Sequence, residues 1–132
     1  MAISTHLTGI QHIGIPTKDL DATTVFFTSL GFESRHEVKN ADGEVVCKFL
    51  GLGNMVIETY VSPAATGVPG AIDHITLDTT DVEAVYKEVK ASGQYTLEED
   101  KITFLPFWEK GCKFFKVIGP NAEIVEFCEI IK

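Results

Sequence analysis

The sequence predicts an α+β fold made of two copies of one βαβββ module, the first at about residues 8–62 and the second at about 70–132. Two internal alignments predict this duplication. At a shift of 62 residues, GIQHIGIPTKDLDA lies over AIDHITLDTTDVEA without a gap, and seven of the 22 residues from position 10 to 31 are identical. About one or two identities would arise by chance. At a shift of 68 residues, GLGNMVIETY lies over GPNAEIVEFC.

The first copy carries a signal for each of its elements. The alternating isoleucines of residues 8–16 predict a strand. Asp19 predicts the N-cap of a helix that ends at about Leu30, with Gly31 just beyond it. FESRHEVK and EVVCKFLG flank the turn signal NADG and predict a hairpin, and NMVIETYV predicts the fourth strand.

The second copy follows the same order after a linker at residues 62–70, which is rich in Pro, Gly and small residues. IDHITLD predicts its first strand, and Asp81 and Gly93 bracket its helix. QYTLEE, ITFLPFW and CKFFKVI predict shorter strands, GPNA a turn, and EIVEFCEI the last strand. The difference between the two shifts predicts about six extra residues in the loops around 98–111.

Length, composition and charge restrict the classes of function. The 132 residues suit a single domain at 1–132, and the net charge is −8 without any cluster of Lys or Arg. This charge argues against nucleic acid and anionic membranes as partners. The sequence carries no signal-peptide pattern and no apolar stretch long enough to span a membrane. We expect a cytoplasmic protein with a small-molecule substrate.

Several reactive residues are not repeated between the two copies. Cys47, Cys112 and Cys128 have no metal-binding spacing, and their odd number favours reduced thiols that are buried as small apolar groups. His6 and His36 have no counterpart in the other copy, and we interpret both as surface residues.

Four residues recur at equivalent positions of the two copies: His12 with His74, and Glu58 with Glu126. Strand faces alternate with period two, so apolar neighbours that face the helix turn each His and each Glu to the opposite face of the sheet. Two imidazoles and two carboxylates suit a divalent ion such as Ni, Co, Zn, Mn or Fe. The sequence therefore predicts one metal site with these four ligands.

A simpler interpretation treats each of these residues alone. A single His on a strand is more often a surface or core residue, and a single Glu between apolar residues usually faces solvent. That interpretation must explain why both residue types recur in a duplicated module. If the sheet face is buried, two unpaired carboxylates there would also be costly.

Four segments carry a resemblance to a known family that covers nearly the whole chain: QHIGIPTKDLDATTVFFTSLGFE, MVIETYV, DHITLDTTD and GPNAEIVEF. They resemble the vicinal oxygen chelate superfamily, which includes glyoxalase I, methylmalonyl-CoA epimerase, extradiol dioxygenases and the fosfomycin and bleomycin resistance proteins. It implies paired βαβββ modules with sheets curled around a metal, and often a homodimer. The ligand order His12, Glu58, His74, Glu126 resembles that of bacterial glyoxalase I. Epimerases of the methylmalonyl-CoA type usually have Gln where this chain has Glu58.

One departure concerns the thiol co-substrate. Glutathione-type glyoxalase I commonly has Arg four residues after its first ligand and Asn four residues after its second. Here those positions are Pro16 and Ser62. A low-molecular-weight thiol other than glutathione therefore remains open.

The resemblance implies a proton-transfer lyase or isomerase that acts on a metal-chelated substrate with adjacent oxygens, such as a hemithioacetal of methylglyoxal. By resemblance Glu126 is the first candidate for the catalytic base, and Glu58 is its symmetry-related alternative. Two other functions stay open: a metal-dependent epimerase of the methylmalonyl-CoA type, and a non-catalytic small-molecule-binding protein of the same fold.

The wall of the site is less sharply defined. Tyr60 has the parity of Glu58, and Cys128 has that of Glu126, so both are candidates to face the site. Phe107, Trp108 and Phe114 are candidates to line an apolar pocket. For each of these three aromatics we expect packing between sheet and helix instead.

Overall fold

The computed structural model describes residues 4–6, 8 and 10–132. The chain divides into two compact units, Met1–Ala65 and Thr66–Lys132. After the 3-10 helix Ser4–His6, the elements are β1 (Ile13–Thr17), α1 (Leu20–Ser29), β2 (Glu33–Lys39), β3 (Val45–Leu52), β4 (Met55–Val61), β5 (Ile75–Asp78), α2 (Val82–Ser92), β6 (Thr96–Leu97), β7 (Thr103–Leu105), β8 (Cys112–Ile118) and β9 (Ile124–Ile130).

The first unit is a four-stranded sheet in the order β1-β4-β3-β2. The edge strand β1 runs parallel to β4, and the other neighbours are antiparallel. Helix α1 packs on β3 and β4. The core contains Phe27 from the helix and Leu50 and Ile57 from the sheet, all essentially inaccessible to solvent. Because successive side chains of a strand point to opposite faces, the residues next to Leu50 and Ile57 in sequence point to the face of the sheet away from the helix.

The second unit repeats this plan in the order β5-β9-β8-β6, with β7 also paired to β8. Strand β5 runs parallel to β9, and α2 packs on β8 and β9. Val82, Val117 and Val125 form the centre of its core. The predicted α+β fold with two βαβββ modules is confirmed.

The helix ends agree with the signals in the sequence. The side chain of Asp19 accepts a hydrogen bond from the amide of Ala22, and that of Asp81 accepts one from the amide of Ala84. Gly93 has a φ of 65°, the left-handed conformation that favours glycine at the end of a helix. Each of the two aspartates accepts a hydrogen bond from an amide that the first turn of its helix would otherwise leave without a partner.

The predicted first strand is shorter than expected. Pairing with β4 begins at Ile13, so His12 directly precedes β1. The predicted strand at 8–16 also includes position 9, which lies outside the described residues. In the second unit, the segments QYTLEE and ITFLPFW contribute only β6 and β7, of two and three residues.

The expected packing of three aromatics between sheet and helix is wrong. Phe107 and Trp108 are 55% and 63% exposed. They follow Pro106, which comes directly after β7 and has no amide hydrogen for the sheet, so neither residue lies in a strand. Phe114 lies on the face opposite α2, and Phe115 takes the buried position, with its ring against Tyr86 of the helix.

No helix in the described part of the chain is long and apolar enough to cross a membrane.

Candidate metal centre

In the first unit, the predicted His and Glu meet. Glu58 lies on β4 opposite Gly14 of β1, and His12 directly precedes that strand. The imidazole Nε2 of His12 lies 3.6 Å from Oε1 of Glu58, and both side chains are 30% exposed. Since the adjacent Ile57 is buried in the core, the period of two directs Glu58 to the other face of the sheet.

The second unit contains the equivalent pair. Glu126 lies on β9 opposite Thr76 of β5, and His74 directly precedes β5. Nε2 of His74 lies 3.7 Å from Oε2 of Glu126. The structure therefore brings each predicted His together with the Glu of its own module.

The other nitrogen of each imidazole is held by the preceding residue. Nδ1 of His12 lies 2.9 Å from Oε1 of Gln11, and Nδ1 of His74 lies 2.8 Å from Oδ2 of Asp73. The hydrogen bond with His74 lowers the pKa of the Asp73 carboxyl. If Nδ1–H donates to these oxygens, Nε2 carries no proton, and its lone pair on the side of the Glu is free to bind a metal. Metal-bound histidines commonly have such an acceptor at their other nitrogen.

The geometry of each pair fits a His and a Glu that bind the same divalent ion. Separations of 3.6 and 3.7 Å exceed the range of a hydrogen bond. Two ligands that each lie about 2.0–2.2 Å from one ion are separated by roughly 3–4 Å. Imidazole and carboxylate together match the ligand preferences of Zn, Mn, Fe, Co and Ni.

The surroundings of Glu58 are aromatic and apolar. The ring of Phe49 meets His12 edge-on with centroids 5.4 Å apart, and the Cys47 thiol donates to Oε2 of Glu58 over 3.8 Å. Burial, and next the Glu58 charge, raise the pKa of Cys47. Tyr60 lies on the same face of the sheet as Glu58, as its parity predicts. This follows from Gly14 of β1, since a Cβ added there would contact the side chains of both Tyr60 and Glu58.

Two polar residues adjoin Glu126. The Thr76 hydroxyl donates to its Oε1 over 3.3 Å, and the Lys116 ammonium lies 4.0 Å from its Oε2. The same ammonium lies 4.0 Å from Oε1 of Glu98 and 5.7 Å from the ring centre of Phe114. The sequence-based prediction missed Thr76 and Lys116, because their proximity to Glu126 follows from strand register.

The remaining reactive side chains have structural explanations. Cys128 is buried, and its burial, together with Cys112, raises its pKa to about 12. All three cysteines are buried and free, as expected. His6 and His36 are exposed, also as expected, although the ring of His36 lies 5.9 Å from that of Phe49.

One acidic cluster lies away from the His–Glu pairs. Oxygens of Asp81, Glu83 and Glu129 lie within 4.8 Å of one another. Asp81 caps α2, Glu129 accepts from the amide of Val82, and Glu83 forms an ion pair with Lys113. These contacts account for the cluster as the N-terminal anchor of α2.

A family model decides the relationship that the fold suggests. The model of the Glyoxalase/Bleomycin resistance protein/Dioxygenase superfamily matches residues 9–107. The chain belongs to this superfamily. The match confirms the resemblance noted in the sequence at the level of the superfamily.

Solved structures of other proteins share the fold. The glyoxalase family protein from Enterococcus faecalis is 24% identical, with a TM-score of 0.72 over 92% of this chain and 97% of that one. The fosfomycin resistance protein FosX from Listeria monocytogenes is 16% identical, with a TM-score of 0.71 over 95% of each chain. A further FosX structure, also 16% identical, contains Mn(II) and sulfate, with a TM-score of 0.68 over 95% of this chain and 94% of that one. No curated protein matches this chain.

Proposed function

We propose that the protein is a metal-dependent lyase or isomerase of the glyoxalase I type, acting on a substrate with two adjacent oxygens. The favoured substrate is the hemithioacetal of methylglyoxal with a low-molecular-weight thiol. The observation that carries the proposal is the repeated pair of an imidazole Nε2 and a carboxylate oxygen, 3.6 Å apart in one module and 3.7 Å in the other.

The metal of this proposal is one divalent ion, Ni, Co, Zn, Mn or Fe, with His12, Glu58, His74 and Glu126 as its ligands. Three observations support it: the spacing within each pair, the occupied Nδ1 positions, and the Mn(II) bound by FosX, which shares the fold. The ion would supply a Lewis acid for the oxygen pair of the substrate.

Residues of the chain would transfer the proton and hold the catalytic and metal-binding side chains in position. Glu126 is the first candidate for the base that moves a proton between the two carbons, and Glu58 is the second. The Thr76 hydroxyl, which donates to Oε1 of Glu126, orients that carboxylate. Gln11 and Asp73 hold the two imidazoles in one orientation.

The thiol of this proposal is not glutathione. Pro16 lies in β1 and has neither a charge nor an amide hydrogen to offer. The Ser62 hydroxyl already accepts a hydrogen bond from the amide of Ala64 within a turn. The proposal also includes a homodimer and a cytoplasmic location, where Cys47, Cys112 and Cys128 would stay reduced.

Metal analysis followed by a turnover assay tests the proposal. Purified protein should hold about one divalent ion per chain, and methylglyoxal should be consumed with some thiol after the stripped protein is reloaded with metal. His74→Ala should lower metal affinity sharply and leave the circular dichroism spectrum unchanged, whereas His6→Ala should change neither.

Three results would contradict the proposal. Equal metal affinity in His74→Ala and the wild type would remove these residues from the metal site. A loaded protein that turns over no thiol adduct but epimerises a 2-methylmalonyl thioester would replace the lyase with the epimerase. Tight binding without any turnover would favour the small-molecule-binding protein.

A further inference from the structure

The two modules differ beside their carboxylates. In the first unit, the residue paired with Glu58 across the strands is Phe49; in the second, the residue paired with Glu126 is Lys116. The fold therefore accepts an apolar ring at this position, and the sheet does not require a cation there. Beyond Lys116, the amide of Glu98 donates to the Lys116 carbonyl, which places Glu98 next along the same face.

The Lys116 ammonium lies between two carboxylates but forms no hydrogen bond with either. Its side chain is only 20% exposed, and its nitrogen lies 4.0 Å from both Glu98 and Glu126. This separation is beyond hydrogen-bond distance. Lys116 also packs over the ring of Phe114. With respect to the residues that the structure describes, the N–H donors of Lys116 are therefore available to a ligand.

A bound metal would change the balance of charge at Lys116. In the proposed function Glu126 would be a metal ligand, so its negative charge would be shared with the ion. Glu98 would then be the nearby carboxylate left to balance the ammonium. Because like charges repel in a partly buried site, the added cation would raise the free energy of an unbalanced Lys116. An anion bound beside the metal would restore the balance.

We propose that Lys116 is the specificity-determining residue that binds an oxyanion of the substrate. Resting on the proposed metal site, this inference identifies the substrate class: a small molecule with two adjacent oxygens for the metal and a separate oxyanion, such as a carboxylate, for Lys116. In a hemithioacetal of methylglyoxal, the thiol would carry this oxyanion. The flexible stem of the lysine and its three donors suit such a group.

Two hydroxy acids separate chelation from recognition of the extra anion. Glycolate offers a hydroxyl and a carboxylate to the metal, and tartronate adds a second carboxylate. Their dissociation constants should be measured by calorimetry on Co(II)-loaded wild type, Lys116→Met and Lys116→Arg. Lys113→Met is the matched control, because Lys113 lies on the same strand but forms an ion pair with Glu83.

We expect Lys116→Met to weaken tartronate binding roughly tenfold or more, the scale of a hydrogen bond to a charged group, and to change glycolate binding less than twofold. Lys116→Arg and Lys113→Met should keep the wild-type preference. Comparison between variants cancels the stronger intrinsic chelation by tartronate. A chelator competition should also show tighter Co(II) binding in Lys116→Met, because a nearby positive charge is lost.

Equal effects of Lys116→Met on both acids, or no effect on either, would overturn the assignment. Lys116→Gln provides the same comparison if the methionine variant does not fold. A wild type that binds no Co(II) would overturn both this inference and the proposed function. Bound Co(II) and a Lys116-dependent preference for tartronate, without turnover of any methylglyoxal adduct, would reject the lyase and retain this inference.

Discussion

Asp73 accepts a hydrogen bond of 2.8 Å from Nδ1 of His74, and Nε2 of the same ring faces Glu126 at 3.7 Å. The first module repeats this relationship with Gln11, His12 and Glu58. A carboxylate in one module and an amide in the other hold otherwise similar rings. This difference leads to the first prediction.

Asp73→Ala should weaken metal binding about 10–100-fold, because loss of the partner at Nδ1 frees the ring and lowers its basicity. Gln11→Ala should have a smaller effect, since a neutral amide contributes less than a carboxylate. Chelator competition on purified variants measures both. Asp42→Ala, in the exposed hairpin turn, is the control. Equal affinities for Asp73→Ala and Asp42→Ala would show that the hydrogen bond has no role in metal binding.

Glu126→Gln should nearly abolish turnover of the substrate that the assays identify. The variant keeps the shape of the side chain but removes a base, whose loss typically costs about 10²–10⁴-fold in rate. Glu58→Gln should lower the rate less if Glu58 serves mainly as a ligand. Rates should be compared at equal metal loading, because both changes also touch the ligand set. A Glu126→Gln variant with wild-type turnover would transfer the role of base away from Glu126.

Glutathione should be a poor co-substrate. Pro16 and Ser62 offer little to its carboxylates, so the glutathione hemithioacetal should show a high KM and a smaller thiol adduct a higher kcat/KM. The measurement compares methylglyoxal with several low-molecular-weight thiols at fixed metal loading. A kcat/KM above about 10⁶ M⁻¹s⁻¹ for the glutathione adduct, well within the range of efficient enzymes, would contradict this prediction.

The protein should be a homodimer in solution. Members of the superfamily complete a site by pairing modules within one chain or between two, and a two-fold dimer is the commonest small assembly. One chain has a mass of 14.5 kDa, and light scattering at micromolar concentration should give twice that mass. A monomer with full metal occupancy would disprove this prediction.

The thiol of Cys128 should be inert in the native protein and should make stability depend on alkaline pH. Burial raises its pKa to about 12, from 9.0 for a free thiol. The folded state therefore retains the proton longer, so this contribution to stability is complete below pH 9 and is lost as pH rises towards 12. Urea unfolding between pH 8 and 11 should show a smaller loss in Cys128→Ala than in the wild type. Identical pH slopes would contradict this cause.

The repeat made much of the architecture predictable. Helix N-caps at Asp19 and Asp81 and the glycine at position 93 are local signals, and each was confirmed. The short strands β6 and β7 were placed in the correct segments, but their bounds were not predictable. Their length depends on which residues find partners on β8, and partners distant in sequence carry no local signal.

The residues around the candidate site divide in the same way. Parity along a strand is a property of the sequence, so the common face of Tyr60 and Glu58 was predictable. The aromatics Phe107 and Trp108 were not, because a proline-containing turn interrupts the pattern from which a face is inferred.

The sequence by itself determined the duplication, the helix ends and the two His–Glu pairs, since each follows from periodicity or from identical residues at a constant shift. Only the tertiary structure decided that Lys116 and Thr76 lie against Glu126, that Cys47 lies against Glu58, and that Asp73 holds His74. Cross-strand contacts depend on register and hydrogen bonds on side-chain rotamers, and both are set by packing between segments that are remote along the chain.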